Sequence, residues 1–375
     1  MNNAIQHWQF NPLDTWFFRE ARGFDTSGSN ELSSLFPPPA RTIAGAIRTL
    51  IGEQQGVDWH RFAKSDQYAE LKQIIGIGDD LGSLKLIGPY PVWNNKRLYP
   101  APLHLLAKDK DYRFLEPGDA VDCDLGKVQL PRIKDIGQPL AGAKPLEHYW
   151  LTAADLQKAL KQKSPDSVFK AKDLYAEEPR LGIARNNQQR TGIDGLLYQT
   201  RHLRPSVELA IGVGVMGIPD SWQLQQGIVR LGGEGRASTV EVNKMAMPSI
   251  ASLELSKLSG NHLLLMLLTH ADFGRDWFPP GFKPIEHNGI CKWQGTINSV
   301  ELTIECAVIG KVVREGGWDL VKQQPRPVKS LIPAGSVYFC TIKNPNARTA
   351  VEQLHGHHIG NEIALGRGEL VVGTW

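Results

Sequence analysis

Cysteine is scarce in this sequence. Its four residues, Cys123, Cys291, Cys306 and Cys340, are scattered over a chain of 375 residues, and none is spaced as a CxxC pair. Disulfide frameworks belong to small, cysteine-dense secreted domains, so this pattern argues against one. It favours free thiols in a reducing cytoplasm, which is where we expect the protein to act.

Long hydrophobic runs are missing as well. The longest, Leu263–Leu268, is far shorter than the roughly 20 residues that span a bilayer. The first residues, Met1–Trp8, are polar and lack the basic and then apolar plan of a signal peptide. We therefore expect no contact with a membrane.

The chain has little net charge and no recognisable catalytic signature. Its formal charge is +3 at pH 7, so any RNA site must come from local charge. No HExxH, GxSxG or paired-acid signature occurs. His355, His357 and His358 have no cysteine or carboxylate at suitable spacing, so we interpret them as exposed residues at a helix end. We expect neither a metal nor another cofactor.

Glycine and proline, in contrast, are abundant, with 37 and 24 residues, which is typical of a loop-rich α+β protein. Ile43, Ile47 and their apolar neighbours predict a helix that begins near Ala40. Thr152 is a suitable N-cap for a second helix over Ala153–Gln162. Three segments have the composition of strands: Leu263–Leu268, Ser299–Val308 and Glu369–Val372.

Two halves of the sequence end in the same order of features, namely a helix, a glycine-rich turn with an arginine, and a strand. The two turns are Leu231–Arg236 and Leu365–Gly368. This repetition predicts an α+β protein with tandem ferredoxin-like (RRM-like) βαββαβ domains and glycine-rich loops. We place an N-terminal domain at 1–245, with a long inserted hairpin at about 179–214, and a C-terminal domain at 246–375.

The turn at Leu231–Arg236 is the strongest local feature. Its glycines have no Cβ, so a phosphate or ribose can lie against the backbone and accept hydrogen bonds from N–H groups. The motif is not a Walker loop, because no Gly-Lys-Ser/Thr follows, and a strand follows where a dinucleotide fingerprint needs a helix. The alternative is a tight hairpin turn that needs positive φ. Leu365–Gly368 allows the same two interpretations.

The segment 180–204 contains five arginines against a single acid, Asp194, together with amide side chains and the rings of Tyr198 and His202. Such groups recognise single-stranded RNA. The alternative is a solvated hairpin or an arm that docks on protein. Arg41 would place a phosphate at the N-terminus of the first helix, although an unpartnered surface arginine is an equal alternative.

Together these patterns define the side chains and turns that we expect to contact RNA. They are Arg19, Arg41, Arg48, Arg185, Asn186, Gln188, Arg190, Arg201, His202, Gly232, Gly233, Gly235, Arg236, Gly366, Arg367 and Gly368.

Two blocks near the N-terminus resemble a known family. Pro12–Glu20 (PLDTWFFRE) and Phe36–Arg48 (FPPPARTIAGAIR) are similar to the opening of the third subunit of the type III-B CRISPR (Cmr) effector complex. Gly182–Arg185 and the two glycine-rich turns are similar too, and the resemblance spans nearly the whole chain. The opening block is its most specific part.

This resemblance implies a member of the RAMP superfamily with tandem ferredoxin-like domains. It implies a place at the foot of the complex, beside the large polymerase-like subunit and an adjacent backbone RAMP subunit. There the subunit would hold the 5′ repeat-derived tag of the CRISPR RNA (crRNA), in antiviral defence against foreign RNA. The family is not known for catalysis, so the resemblance implies a non-catalytic protein.

Two other functions are compatible with the same residues. One is a metal-independent RAMP endoribonuclease that processes precursor crRNA with a histidine as general base. RAMP nucleases of this kind use a histidine near the first helix, and Ala40–Leu50 contains none, which argues against this activity. The other is a purely structural scaffold, whose turns and hairpin contact only protein.

Overall fold

The computed structural model describes residues 4–21, 31–134, 141–186, 188–243, 261–319, 322–343 and 347–375. Within these ranges it does not describe the side chains at 184–185, 193–196, 243 and 347–349. In this part of the chain, no helix is long and apolar enough to cross a membrane.

The chain divides into two compact units, each assembled from three segments. The first unit contains Met1–Lys96, Ala171–Met247 and Arg314–Lys329, and the second contains Arg97–Lys170, Pro248–Val313 and Ser330–Trp375. The domain boundary expected at 245/246 lies close to one of the points where the chain passes between units. The sequence alone did not indicate that 97–170 groups with the second unit or that 314–329 groups with the first.

The protein is an α+β structure in which strands greatly outnumber helices, and we number both in chain order. The helices are α1 (Ala40–Gln54), α2 (Trp59–Phe62), α3 (Ala69–Ile75), α4 (Ala153–Leu160), α5 (Ala171–Leu174) and α6 (Ala347–Leu354). The strands up to residue 216 are β1 (Gln6–Pro12), β2 (Glu31–Leu32), β3 (Lys85–Trp93), β4 (Lys96–Arg97), β5 (Tyr99–Pro100), β6 (Leu105–Lys108), β7 (Asp111–Cys123), β8 (Gly126–Ile133), β9 (Lys144–Pro145), β10 (Tyr149–Leu151), β11 (Phe169–Lys170), β12 (Tyr175–Asn186), β13 (Thr191–Pro205) and β14 (Leu209–Met216). The later strands are β15 (Gly227–Arg230), β16 (Ala237–Asn243), β17 (His262–Leu267), β18 (Lys283–His287), β19 (Ile290–Ile297), β20 (Val300–Val308), β21 (Val313–Glu315), β22 (Trp318–Asp319), β23 (Gln324–Pro325), β24 (Lys329–Leu331), β25 (Val337–Ile342) and β26 (Leu370–Gly373).

The main sheet of the first unit has the strand order β15-β16-β1-β14-β3-β4. Strand β1 lies between two antiparallel partners, so that Trp8 pairs with Val213 on one side and with Val242 on the other. Side chains alternate across a strand, which buries both Trp8 and Phe10 on one face. The apolar stripe of α1, including the fully buried Ile47, packs against this sheet.

The main sheet of the second unit has the order β18-β19-β20-β25-β17-β26. Its strand β17 contains most of the longest apolar run of the sequence. Side chains on both faces of this strand are apolar, because each face packs into a core cluster. Leu263 and Leu265 belong to one core cluster, with residues of α6. Leu264 and Met266 belong to a second cluster, with residues of α4. The run therefore forms a strand that is buried on both faces.

Thr152 caps α4 as expected. Its side-chain oxygen accepts the backbone N–H of Asp155 at 3.2 Å, which satisfies one of the free donors at the helix start. The Asp155 carboxylate in turn accepts hydrogen bonds from the backbone of Asp166 at 2.8 Å and from the hydroxyl of Ser167 at 3.1 Å. The cap thus anchors the loop that follows the helix.

The inserted hairpin is present, but its limits differ from those expected. It consists of β12 and β13, which pair from Tyr175 opposite Pro205 to Asn186 opposite Thr191. The segment 209–214, which the sequence placed in the hairpin, belongs to β14 and is buried in the main sheet of the first unit. Its apolar residues pack into a core, whereas much of the hairpin is exposed.

Candidate nucleic-acid interface

Alternate residues of hairpin β12–β13 point to opposite faces, so its charged side chains fall into two groups. In its register Glu178 lies opposite His202. Directly opposite residues point to the same side of a sheet, so the even-numbered residues near this pair share one face and the odd-numbered residues share the other. The first face carries Glu178, Arg180 and Arg204, and the second carries Arg201.

On the first face, three guanidinium groups converge on the carboxylate of Asp14. Nη1 of Arg236 lies 2.8 Å from Oδ2 of Asp14. Nη2 of Arg180 lies 3.2 Å from the same oxygen, and Nη1 of Arg204 lies 3.2 Å from Oδ1. Asp14 follows β1 and Arg236 precedes β16, so segments far apart in sequence meet here. With Glu178, we call these residues the arginine cluster.

The carboxylate of Glu178 binds two of these arginines, Arg180 and Arg204. Its Oε1 lies 2.8 Å from Nε of Arg180, and its Oε2 accepts Nε–H of Arg204. Hydrogen bonds from Arg204 and Arg180 hold the pKa of Glu178 below its usual value. Burial alone would raise the pKa of Asp14, but the hydrogen bond from Arg180 and the charges of Arg204 and Arg180 outweigh it and lower the pKa. Both acids are therefore ionised at neutral pH.

Arg201, on the opposite face, is also paired. It forms ion pairs with Glu31 of β2 and with Glu177, whose Oε2 lies 2.8 Å from Nη1 of Arg201. The positive charge expected for this hairpin is thus largely balanced by acids of the same unit. A contact of Arg201 with RNA stays a prediction.

His202 shares the face of the arginine cluster but is buried, with 1% of its surface exposed. Its Nδ1 lies 3.0 Å from the hydroxyl of Thr15, and its ring stacks on Phe17 with 5.0 Å between centroids. Burial, aided by nearby guanidinium charges, lowers its pKa, so the ring is neutral at neutral pH. A ring buried in this way does not reach an RNA at the surface. We therefore remove His202 from the expected RNA contacts, since its role is to support the segment that carries Asp14.

The tip of the hairpin is organised by Asn186. Its Oδ1 accepts the backbone N–H groups of Gln188 at 3.0 Å and of Gln189 at 3.2 Å. Arg190 closes the turn with φ of 55°. The side chains of Gln188 and Arg190 are exposed, and Arg190 has no carboxylate partner among the described residues. The tip therefore presents an exposed guanidinium group, that of Arg190, whereas the side chain of Arg185 lies outside the described residues.

The glycine-rich turn between β15 and β16 has a closed half and an open half. At Gly232, with φ of 90°, a Cβ would lie 2.5 Å from the carbonyl oxygen of Phe17, so only glycine fits. Gly233 donates its N–H to the same oxygen at 2.8 Å. At Gly235, with φ of 66°, a Cβ would meet no atom within 4 Å, and 233–235 is exposed. The second half is therefore accessible to a ligand.

The matching turn of the second unit is buried. A Cβ at Gly368 would overlap the carbonyl oxygen of Ile359, and Gly366 is buried as well. Arg367 is 2% exposed, and its Nε lies 3.1 Å from the carboxylate of Glu362. A nucleotide has no access to this turn in this conformation. We therefore remove Gly366, Arg367 and Gly368 from the expected RNA contacts and adopt the alternative of a tight turn.

Helix α1 holds its two arginines against its own unit. Nη1 of Arg41 lies 2.8 Å from Oδ1 of Asp79, and Arg326 pairs with the same carboxylate. Arg48 donates to two carbonyl oxygens of the loop after α3, both at 2.9 Å. Both arginines of α1 therefore fix the loop that follows α3. Arg19 is exposed, and its backbone forms an isolated antiparallel β-bridge with Ser34.

Four members of the arginine cluster were not among the expected RNA contacts: Asp14, Glu178, Arg180 and Arg204. Of these, Arg180 and Arg204 belong to the five arginines counted in 180–204. A signal for Glu178 was present, because Glu177 and Glu178 lie directly before the arginine-rich segment 180–204. No local signal marked Asp14, which is 222 positions from Arg236. Pairing over such a distance depends on the strand register.

Two of the histidines near α6 make hydrogen bonds with backbone atoms. Nδ1 of His355 accepts the backbone N–H of Val372 at 3.3 Å, and Nδ1 of His358 lies 2.8 Å from the carbonyl oxygen of Arg367. Only His357 of the three is exposed, whereas we expected all three to be. Among the residues that the structure describes, no group of three or more His, Cys, Asp or Glu side chains could hold a metal ion.

Comparison with known proteins identifies one matching family model, described as CRISPR-associated protein (Cas_Cmr3), over residues 8–375. A chain in a cryo-EM structure of the Type III-B Cmr-beta bound to cognate target RNA and AMPPnP is 14% identical, with 92% of this chain and 87% of that chain covered and a TM-score of 0.48. A chain in a crystal structure of the Csm3-Csm4 subcomplex in the type III-A CRISPR-Cas interference complex is 10% identical, with 91% and 94% covered and a TM-score of 0.39. No curated protein matches significantly. Because both TM-scores are below 0.5, the assignment to a family rests on the family model.

Proposed function

The chain belongs to the CRISPR-associated protein (Cas_Cmr3) family, and from this premise we propose that it is a non-catalytic RNA-binding subunit of a type III-B CRISPR effector complex. In this role it holds the 5′ repeat-derived tag of the crRNA. It docks the large polymerase-like subunit and an adjacent backbone RAMP subunit. The assembly acts in the cytoplasm, in antiviral defence against foreign RNA.

The open half of the turn between β15 and β16 is the observation that carries this proposal. Its backbone at 233–235 is exposed, and it leads directly into Arg236 of the arginine cluster. Backbone N–H and guanidinium groups are the donors that bind phosphate oxygens. The hairpin tip adds the exposed side chains of Gln188 and Arg190, an amide and a guanidinium group of the kind that binds single-stranded RNA.

We further propose that each main sheet derives from a ferredoxin-like βαββαβ unit. Strands β16-β1-β14-β3 and strands β26-β17-β25-β20 both follow the order fourth, first, third, second along the chain. The first unit keeps α1 between its first two strands, and the second keeps α6 between its last two. The segments 217–236 and 268–299, which are fully described, contain no helix, so each unit retains one of the two helices of this fold.

Replacing Arg185 and Arg190 together with alanine is expected to lower the amount of crRNA that the assembled complex retains. Each phosphate contact on a single strand contributes about 0.7 to the slope of log affinity against log salt, so the loss of two contacts lowers that slope by about 1.4. The measurement is crRNA retention by purified complexes over a series of NaCl concentrations.

The matched control is Lys110→Ala with Lys127→Ala, which removes two exposed positive charges from the second unit. We expect this variant to retain crRNA like the wild type. If the two double variants show the same retention and the same slope, the hairpin contacts only protein, as a scaffold would.

Alanine at Gly235 is expected to weaken binding of single-stranded RNA roughly tenfold, because the added Cβ occupies the open side of the turn and displaces phosphate from one charge-assisted hydrogen bond. Stability should fall by only about 1 kcal/mol, the strain of positive φ, since the space around Gly235 is empty. Gly56→Ala is the control, with φ of 69° and no atom within 4 Å. Fluorescence anisotropy and thermal unfolding measure the two effects, and equal RNA affinities for the two variants would contradict the proposed cradle.

A further inference from the structure

The arginine cluster is accessible, although every arginine in it is paired. Arg204 and Asp14 are about half exposed, at 50% and 44% of the side chain. Nε of Arg236 is buried and has no hydrogen-bond partner among the described residues. Three guanidinium groups face two carboxylates, so the cluster keeps a net charge of +1. It is thus a basic site at the surface.

The two acids bind the arginines mainly through different atoms. Glu178 binds Nε and Nη2 of Arg180 and Nε of Arg204, whereas Asp14 binds only terminal Nη atoms of the three arginines and shares Nη2 of Arg180 with Glu178. If Asp14 moves away, Glu178 still orients Arg180 and Arg204. The terminal N–H groups that Asp14 releases then point to a common position, where another anion can bind.

A phosphate group competes well for that position. Ion pairs between exposed side chains are weak, because water and salt screen them. Phosphate oxygens match the planar fork of a guanidinium group and bind it in a bidentate manner. An RNA strand also neutralises several positive groups at once, since its phosphates are linked.

We propose that Arg180, Arg204 and Arg236 bind a phosphodiester group of single-stranded RNA, and that Asp14 is a built-in competitor which the RNA displaces. Without RNA, Asp14 holds the three guanidinium groups together and prevents weaker anions from occupying the site. This inference rests on the proposed function, because RNA supplies the phosphate.

Replacing Asp14 with asparagine tests the inference. The full chain is titrated into fluorescent octauridylate with a 5′-hydroxyl end, at 50 to 200 mM NaCl, and the dissociation constant is read from anisotropy. Removing the competing charge is expected to tighten binding about fivefold at the lowest salt, with a smaller gain as salt rises. Arg204→Gln is expected to weaken binding, and the double variant should lose most of the gain.

Asp66→Asn is the matched control, since it removes the same charge from an exposed position of the same unit. If Asp14→Asn binds no more tightly than Asp66→Asn, or binds more weakly than the wild type, Asp14 positions the arginines and does not compete, and the inference fails. Thermal unfolding reports whether each variant is folded. If Asp14→Asn is unfolded, the RNA affinity of Arg204→Gln becomes the test, because Arg204 is half exposed and its replacement should leave the fold intact. An affinity equal to that of the wild type would overturn the inference.

Two further outcomes separate the possible failures. If neither the wild type nor Asp14→Asn binds octauridylate, the proposed RNA-binding function fails and the inference fails with it. If the wild type binds and only the Asp14 effect is missing, the inference alone fails. A 5′-phosphorylated octauridylate distinguishes terminal from internal phosphate, and an Asp14 effect confined to that RNA overturns the assignment to a phosphodiester.

Discussion

Alanine at position 368 is expected to lower the free energy of unfolding by roughly 3 kcal/mol or more. Gly368 has φ of 68°, and its missing Cβ would overlap backbone atoms of Ile359, including the carbonyl oxygen. Backbone atoms in a packed turn cannot move aside as the end of a flexible side chain can, so the turn must distort. Gly368 and Ile359 are joined by a 3.0 Å backbone hydrogen bond, which the distortion also weakens. Urea unfolding of the full chain measures the loss.

The matched control lies close by in the sequence. Gly356 has a similar φ of 77°, but no atom lies within 4 Å of the position of its Cβ. Gly356→Ala therefore carries only the strain of the left-handed backbone, about 1 kcal/mol. The difference between the two variants isolates the steric term. If both variants lose the same stability, Gly368 is needed for its φ alone and the turn is less tightly packed than described.

Acidification from pH 7.5 to pH 5 is expected to lower the free energy of unfolding by about 2 kcal/mol through His104 alone. Burial lowers the pKa of His104 to about 3, and neither ring nitrogen has a hydrogen-bond partner among the described residues. In the unfolded chain the ring takes up a proton below about pH 6.5, whereas in the folded chain it does so only near pH 3. The stabilisation is thus complete above about pH 6.5 and is lost as the pH falls towards 3.

The measurement is urea unfolding of the wild type and of His104→Leu at pH 7.5, 6 and 5. The stability of the variant relative to the wild type should rise by about 2 kcal/mol over this range, because leucine takes up no proton in the unfolded chain. Burial also lowers the pKa of His270, to about 4, but that contribution is common to both proteins. His60→Leu, which removes an exposed histidine, is the control. If the free energies of unfolding of His104→Leu and the wild type differ by the same amount at every pH, the prediction is wrong.

The two glycine-rich turns show the limit of sequence-based prediction most clearly. Leu231–Arg236 and Leu365–Gly368 are both rich in glycine and both contain an arginine, and both allowed a ligand cradle or a tight turn. The structure leaves 233–235 exposed and buries 366–368. Positive φ explains glycine in both turns, so the residue type carries no information on which one a ligand can reach.

The arginines show a second limit. A count of charge over 180–204 predicts a strongly basic hairpin, but Arg180 and Arg204 are balanced by Glu178 just outside that segment and by Asp14 from the segment that follows β1. Among the arginines of 180–204 whose side chains the structure describes, only Arg190 is exposed and without a carboxylate partner. Local composition gives the number of charges, whereas pairing depends on register and on distant segments.

The sequence by itself determined the local elements of this protein and its family. Hydrophobic periodicity located α1 and α4, and a continuous apolar run located β17. Thr152 marked the start of a helix, and the block Pro12–Glu20 carried the resemblance that the family model bears out. These signals are short-range, because a residue and its near neighbours in sequence are enough to produce them.

Only the tertiary structure decided which segments form each unit, which glycine-rich turn is open and which arginines are paired. Each of these properties depends on contacts between residues far apart in the chain, as in the ion pair of Asp14 with Arg236 or the packing of Gly368 against Ile359. The free energy of a charge or a backbone turn depends on what surrounds it. Its surroundings are set by strand register and burial, which no local pattern encodes.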